Sequence, residues 1–216
     1  TLESVEPAYE AARMFGRFQR MLTDLPGPPL HETVADFHAT FRRLTAFDEV
    51  VRQDPCNRAK AAKVEIDFVL ANTEICNVLS DGLGAGDVPI RITHNDAKIN
   101  NVMIDANTHT GVCVIDLDTV MPGLSVYDFG DLVRTATNPA GEDERDLSKV
   151  MMRMGVFEAL TRGFAEETHA FLTPTEKKCL ASVGKLITFE QMIRFLTDYI
   201  AGDTYYKTQR EHHNLD

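Results

Sequence analysis

The chain has 216 residues, which suits one large domain or two small ones, and its 44% hydrophobic and 25% charged residues match a soluble globular protein. Twenty-two Lys and Arg against thirty-three Asp and Glu leave a net charge of −11 spread along the chain, which argues against general nucleic-acid binding. No apolar run approaches the roughly 18 residues that a spanning helix needs, so no membrane association is expected. Charges interrupt every apolar stretch of the opening TLESVEPAYEAARMFGRF, so it does not read as a secretory signal. The chain also lacks an initiator Met and reads as part of something longer. Cys56, Cys76, Cys113 and Cys179 lie far apart, with no CxxC or Cys/His metal spacing, and read as buried thiols of a cytoplasmic protein.

Ser4 can cap a first helix in which Ala12, Phe15, Phe18 and Leu22 recur at steps of three and four, and Pro26 to Pro29 ends it. A second helix is expected from about Glu32 to Val51, and a third with Val64, Phe68, Ala71, Ile75 and Val78 on its buried stripe. The texture then changes. The GLGAG segment, Gly82 to Gly86, reads as a plain turn, and short β-prone runs follow at 89–93, 102–104 and 112–115. The turn-rich link 105–111 suits a hairpin between the last two. Helices are expected again at about 128–136, 147–169 and 174–201, with 138–141 as a loop. The predicted class is mainly α with a small β-hairpin island (α+β), and 1–216 is taken as a single unit with its chemistry at about 90–118.

The segment His94 to Asp118, HNDAKINNVMIDANTHTGVCVIDLD, carries that chemistry. Asp96 and Asn101 lie five apart in a loop between short strands and Asp116 ends the next strand, so hairpin geometry can gather all three at one end. The result is an oxygen-rich corner. Mg²⁺ takes a few oxygen ligands and completes its shell with water and substrate phosphates, so one carboxylate and one amide are enough protein ligands. Lys98 leaves the same loop and can neutralise a phosphate.

The run His94-Asn95-Asp96-Ala97-Lys98-Ile99-Asn100-Asn101 resembles the protein-kinase catalytic loop. Ile115-Asp116, in place of Asp-Phe-Gly, looks like the small-molecule kinases of the aminoglycoside phosphotransferase and choline kinase superfamily. HNDAKINNVMID, VCVIDLDTVMPG, DFGDLVR and GDTYYKTQREHHNL are most similar to N-acetylhexosamine 1-kinases. The resemblance implies the C-terminal lobe of a protein-kinase-like fold, with ATP as phosphate donor, Mg²⁺ as cofactor and a small-molecule sugar phosphorylated at its anomeric hydroxyl. It implies Asp96 as catalytic base, Asn101 and Asp116 as Mg²⁺ ligands and Lys98 as a γ-phosphate contact. His94 would be structural, and Asp128, in Asp128-Phe129-Gly130-Asp131, would brace the catalytic loop rather than bind metal.

Other candidates are weaker. Asp118 reads as a supporting acid or a helix cap. Asp131 and Arg134, three apart on a helix, either pair with each other or contact the sugar. Tyr205, Tyr206, Lys207 and Arg210 mix aromatic and cationic groups as a sugar site does, with a loosely docked terminus as the alternative. Met151, Met152 and Met154 read as helix packing, and His212 and His213 as an exposed tail. No glycine-rich phosphate loop or strand lysine precedes His94, so the nucleotide-binding N-terminal lobe is expected to lie outside this sequence. Its absence would leave an exposed face prone to self-association and a chain nearly silent in catalysis. Another small alcohol acceptor (an aminoglycoside, choline or homoserine) and a non-catalytic binding or assembly module remain as alternatives.

Overall fold

The computed structural model describes residues 5–141 and 144–216. Helix α1 (Glu6–Met21) forms as its periodicity predicts, with Pro7 in its first turn and Ala8, Ala11, Ala12 and Phe15 fully buried. The expected cap, Ser4, lies outside the described residues. Residues 33–38 form turns, so α2 spans Thr40–Gln53 and starts later than the apolar pattern suggests. Asp36 adopts a left-handed conformation (φ 58°), which breaks any helix running through it.

Helix α3 (Lys63–Ala71) gives way to a 3₁₀ segment at Thr73–Leu79 and then to the single turn α4 (Ser80–Gly84). The expected stripe fails at Val64, Phe68 and Ala71 and holds at Ile75, which is buried, and at Val78, which packs on the core. Val64 and Phe68 are 76% and 53% exposed, whereas Ile66, Val69, Ile75, Cys76 and Leu79 face the core. Asn72 makes the break, since its side-chain amide donates to the Phe68 carbonyl at 2.8 Å. The GLGAG segment is partly helical: Gly82 to Gly84 close α4, and the N–H groups of Asp87 and Val88 donate to the Gly82 carbonyl.

Two small antiparallel sheets follow. Strand β2 (Val102–Ile104) pairs with β3 (Gly111–Val114) as the expected hairpin. Strand β1 (Ile90–Thr93) pairs with β4 (Met121–Leu124), with Ile90 opposite Leu124 and Thr93 opposite Met121. The sequence pattern missed β4 because Pro122 and Gly123 disfavour a strand, yet a two-stranded sheet has only edges, where proline is tolerated. Arg91 of β1 makes a two-pronged ion pair with the fully buried Glu176, at 3.1 and 2.8 Å.

Helix α5 (Ser125–Thr137) begins directly after β4, three residues ahead of expectation. Residues 147–149 form only a 3₁₀ turn, and α6 spans Met154–Thr168. The expected helix from 147 fails because Arg153 is drawn to the end of α5, where its guanidinium donates to the Ala136 and Thr137 carbonyls at 2.7 and 3.2 Å. Met151 and Met152 consequently lie outside any helix, about half exposed at 53% and 49%. Helix α7 (Pro174–Ala201) matches expectation, opened by a capping box between Thr173 and Glu176 and closed by Gly202 at φ 105°.

Helices α1, α5, α6 and α7 share the main core, with α1 against α6 and α5 against α7, while α2 packs on α7. The C-terminal segment is docked rather than loose. Asp198 accepts hydrogen bonds from the backbone N–H groups of Thr204, Tyr205 and Tyr206 and from Asn214 Nδ2, all at 2.8–3.0 Å. All four cysteines are free; Cys76 and Cys179 are buried, Cys113 is half-buried, and Cys56 is exposed against expectation. No helix among the described residues is long and apolar enough to cross a membrane.

Candidate active site

The loop after β1 is held from below by one carboxylate. Asp128, fully buried in the first turn of α5, accepts hydrogen bonds from the backbone N–H of His94 (3.0 Å), that of Asn95 (2.7 Å) and Gln19 Nε2 of α1 (2.6 Å). Burial pushes its pKa above the ordinary carboxylate value, and these three donors oppose that rise. His94 is buried edge-on to the rings of Phe15 and Phe18, and its Nε2 donates to the Ile115 carbonyl at 3.0 Å, tying the loop to the end of β3. Asn95 stands in the left-handed region (φ 65°), which asparagine tolerates better than most residues. Its side-chain amide donates to the carbonyls of Thr93 and Thr119 at 3.2 and 3.0 Å. Gly123 is required here: a Cβ at that position would stand 2.2 Å from Thr93 Oγ1 and 2.6 Å from Asn95 Oδ1.

On this base Asp96, Lys98 and Asn101 come together. Asn101 Nδ2 donates to the Asp96 carbonyl at 2.9 Å and to its carboxylate at 3.3 Å, and Lys98 Nζ pairs with the same carboxylate at 2.9 Å. The Ile115 N–H donates to the Asn101 carbonyl at 2.9 Å, so Asp116 starts one residue beyond a tie to Asn101. Asp116 is exposed and left-handed (φ 62°), a conformation that costs a non-glycine residue about 1–2 kcal/mol and recurs at functional sites. The hairpin is fixed to α1 by Glu10, whose carboxylate accepts from the Gly111 N–H at 2.7 Å and from Arg13 at 2.7 Å. Burial pushes the Glu10 pKa up, but Arg13 and the Gly111 N–H outweigh it and hold the group below its ordinary value. A Cβ at Gly111 would stand 2.2 Å from Met14 Cγ, so the close seat of β3 on α1 also depends on glycine.

The donor set suits a hard divalent cation. With its amide nitrogen committed to Asp96, Asn101 keeps its side-chain oxygen for a ligand, and Asp116 contributes an exposed carboxylate. No cluster of three His, Cys, Asp or Glu side chains occurs among the described residues. Mg²⁺ held partly by phosphates and water does not need one.

A cleft of about 1470 Å³ opens beside Asp96 and Lys98, lined also by Phe37, Arg134, Arg194 and Tyr206. Arg134 pairs with the buried Asp131 at 2.9 Å. Burial raises the Asp131 pKa, Arg134 and His38 lower it, and the Asp96 charge adds to the rise, so this pair lies within electrostatic reach of Asp96. Tyr206 packs on Phe195 at 4.4 Å between ring centres and receives a hydrogen bond from Gln191 at 3.2 Å. Tyr205 is 74% exposed and outside the cleft lining, and Arg210 pairs with Asp216 in an adjoining depression that shares Leu215 and Asp216 with the cleft. His212 bonds Tyr199 through Nδ1 at 2.7 Å, and His213 Nδ1 accepts from the Gln209 N–H at 3.4 Å.

Sequence reasoning missed Gln19, His38 and Glu190. Gln19 lies on α1 among apolar neighbours at 3% exposure, a signal visible as a polar residue on an apolar face. His38 and Glu190 are 152 positions apart, and nothing in either local pattern joins them.

Residues 1–150 match the model of the phosphotransferase enzyme family, APH. The fold is similar to that of aminoglycoside phosphotransferase APH(2'')-Ib in its ADP-bound form, with a TM-score of 0.51 at 10% identity. The match covers 98% of this chain and 62% of that chain, so the present chain spans less than two thirds of that structure.

Proposed function

The chain belongs to the phosphotransferase enzyme family, and from that premise we propose that it carries the catalytic loop and metal-binding hairpin of an ATP-dependent kinase that phosphorylates the anomeric hydroxyl of an N-acetylhexosamine. The observation carrying this reading is the Asp96, Lys98 and Asn101 cluster braced by buried Asp128 and tied to the strand that ends at Asp116. Asp96 orients the acceptor hydroxyl and takes its proton late, since phosphoryl transfer passes through a loose transition state in which positioning and charge dominate. Lys98, paired with Asp96 at 2.9 Å, is in reach to turn toward an incoming phosphate. Asn101 and Asp116 would hold Mg²⁺, which when bound supplies positive charge on the phosphate oxygens.

Met103, Val112, Ile115 and Leu117 leave an exposed apolar surface around the hairpin, at 53%, 59%, 39% and 54% exposure. We assign that face to the nucleotide base and to a glycine-rich lobe of the complete protein, and expect the 216-residue chain alone to be nearly inactive. The cleft beside Asp96 carries charges of both signs, Lys185, Arg194 and Lys207 with Glu65 and Asp216, while Arg134 is paired with Asp131, so its charge does not by itself select the acceptor. Similarity of VCVIDLDTVMPG, DFGDLVR and GDTYYK to hexosamine 1-kinases supports the sugar.

The test is product regiochemistry with the full-length protein. N-acetylglucosamine or N-acetylgalactosamine should emerge phosphorylated at C1, and the 1-deoxy sugar should compete without turning over. Phosphate on the C6 oxygen, or turnover of choline and of no sugar, overturns the reading.

A further inference from the structure

Asn95 has a second backbone support besides Asp128: Asp128 accepts its N–H, and His38 meets its carbonyl, the oxygen of the Asn95–Asp96 peptide. His38, in the turn ahead of α2, places Nε2 3.2 Å from the Asn95 carbonyl oxygen and Nδ1 2.9 Å from Glu190 Oε1. The other Glu190 oxygen accepts the Thr40 hydroxyl, so the carboxylate is used on both sides. The pair is sealed from water: the His38 side chain is 9% exposed and that of Glu190 2%. Phe37 and Tyr127 flank the imidazole, with ring centres 4.9 and 4.7 Å away.

A carbonyl oxygen can only accept, so the 3.2 Å contact requires a hydrogen on Nε2. One further hydrogen then lies between Nδ1 and Glu190, which settles the orientation of the ring. The imidazole thus has one productive arrangement, and Glu190 on α7 enforces it. Every polar group of Asn95 is thereby engaged: its N–H by Asp128, its side chain by Thr93 and Thr119, and its carbonyl by His38. The left-handed backbone of Asn95 persists because these contacts over-determine it.

We propose that His38, oriented by Glu190, is a positioning residue that fixes the Asn95–Asp96 peptide and so aims the Asp96 carboxylate at the acceptor. It touches neither substrate nor metal and acts only through Asp96. The role of Asp96 rests on the proposed function above; the hydrogen-bond arrangement does not. A displacement of about 1 Å at a reacting group costs as much as 10²-fold in rate. The sequence hides the device, since a lone His after Phe37 and a Glu deep in α7 carry no motif.

Two measurements test it. The ¹⁵N shifts of the His38 ring in the folded 216-residue chain report which nitrogen carries hydrogen; the proposal requires hydrogen on Nε2 in the wild type and in Glu190→Gln, whose amide can donate to Nδ1. A bare Nε2 overturns it whether or not the protein is a kinase. With the full-length enzyme, His38→Ala should lower kcat by about 10²-fold with both KM values within about twofold, whereas His38→Gln, able to donate to the same carbonyl, should recover about tenfold. Unchanged kcat per folded molecule in His38→Ala overturns the positioning role, because a purely structural contact lowers the amount of folded protein and not its turnover. A wild type with hydrogen on Nε2 but no sugar kinase activity would upset the proposed function and leave the His38 arrangement standing.

Discussion

Replacing Asp128 by alanine removes the acceptor on which the loop after β1 rests. In the wild type it takes the backbone N–H groups of His94 and Asn95 and the amide of Gln19. Gln19 Nε2 keeps a second acceptor, the Ser125 carbonyl at 3.2 Å, so the variant orphans two backbone donors in a water-free pocket. Each orphaned buried donor costs about 1–3 kcal/mol, and part is returned because no carboxylate has to be desolvated. The net is a loss of about 3 kcal/mol, a shift of roughly 1.5 M in urea midpoint for an m value of about 2 kcal/mol/M. The pH dependence carries its own sign. Burial raises the Asp128 pKa in the folded chain above the ordinary 3.8, so the native state takes up this proton at higher pH than the unfolded chain. The contribution of that proton is therefore fully present below 3.8 and lost as pH rises through the raised value, and Asp128→Ala removes that slope. Urea titrations of both proteins at several pH values make the comparison. A variant within about 0.5 kcal/mol of the wild type at neutral pH would refute the bracing argument.

Two further outcomes are expected. Glu10→Gln should destabilise by about 1 kcal/mol, since it discards the charge that holds Arg13 and the Gly111 N–H; because the folded Glu10 pKa lies below its ordinary 4.5, this contribution is present above that value and disappears as pH falls through the depressed one, a slope that thermal melts across the acid range should find missing in the variant. Asn101→Ala and Asp116→Ala should both raise the Mg²⁺ requirement of the full-length enzyme, with high Mg²⁺ restoring much of the Asn101 loss and little of the Asp116 loss. Titrating Mg²⁺ at fixed ATP reads this directly, and an unchanged dependence in both places the metal elsewhere.

The fold was legible where periodicity and capping agree. The buried face of α1 follows from its three-and-four spacing, and α7 starts at Pro174 because Thr173 and Glu176 cap it, all visible in sequence. Legibility failed where a distant partner overrides local pattern. Arg153 ends the helical reading before α6 by serving the carbonyls of α5, and α3 turns Ile66 and Val69 inward where the pattern pointed to Val64 and Phe68. At the site, spacing points to the β2–β3 hairpin and to Asp96, Asn101 and Asp116 at one end of it; the structure joins Asp96 and Asn101 with Lys98 and ties Asn101 to Ile115, the residue before Asp116, while Asp128 bonds the loop at His94 and Asn95. Strand β4 was not, because its pairing with β1 depends on Gly123 making room for Asn95 rather than on any strand propensity. Gln19, His38 and Glu190 escaped because their meaning lies in contacts across more than a hundred positions.

The central claim is that Asp96 receives the acceptor's proton in phosphoryl transfer, and it is tested by single-turnover kinetics of the full-length protein and its Asp96→Asn variant with N-acetylhexosamine and saturating Mg·ATP. A general base contributes about 10²–10⁴-fold, so the variant should keep the wild-type urea midpoint and nucleotide affinity while the transfer step slows by at least about 10²-fold. A variant that folds, binds ATP and transfers phosphate at a near-native rate would contradict the account.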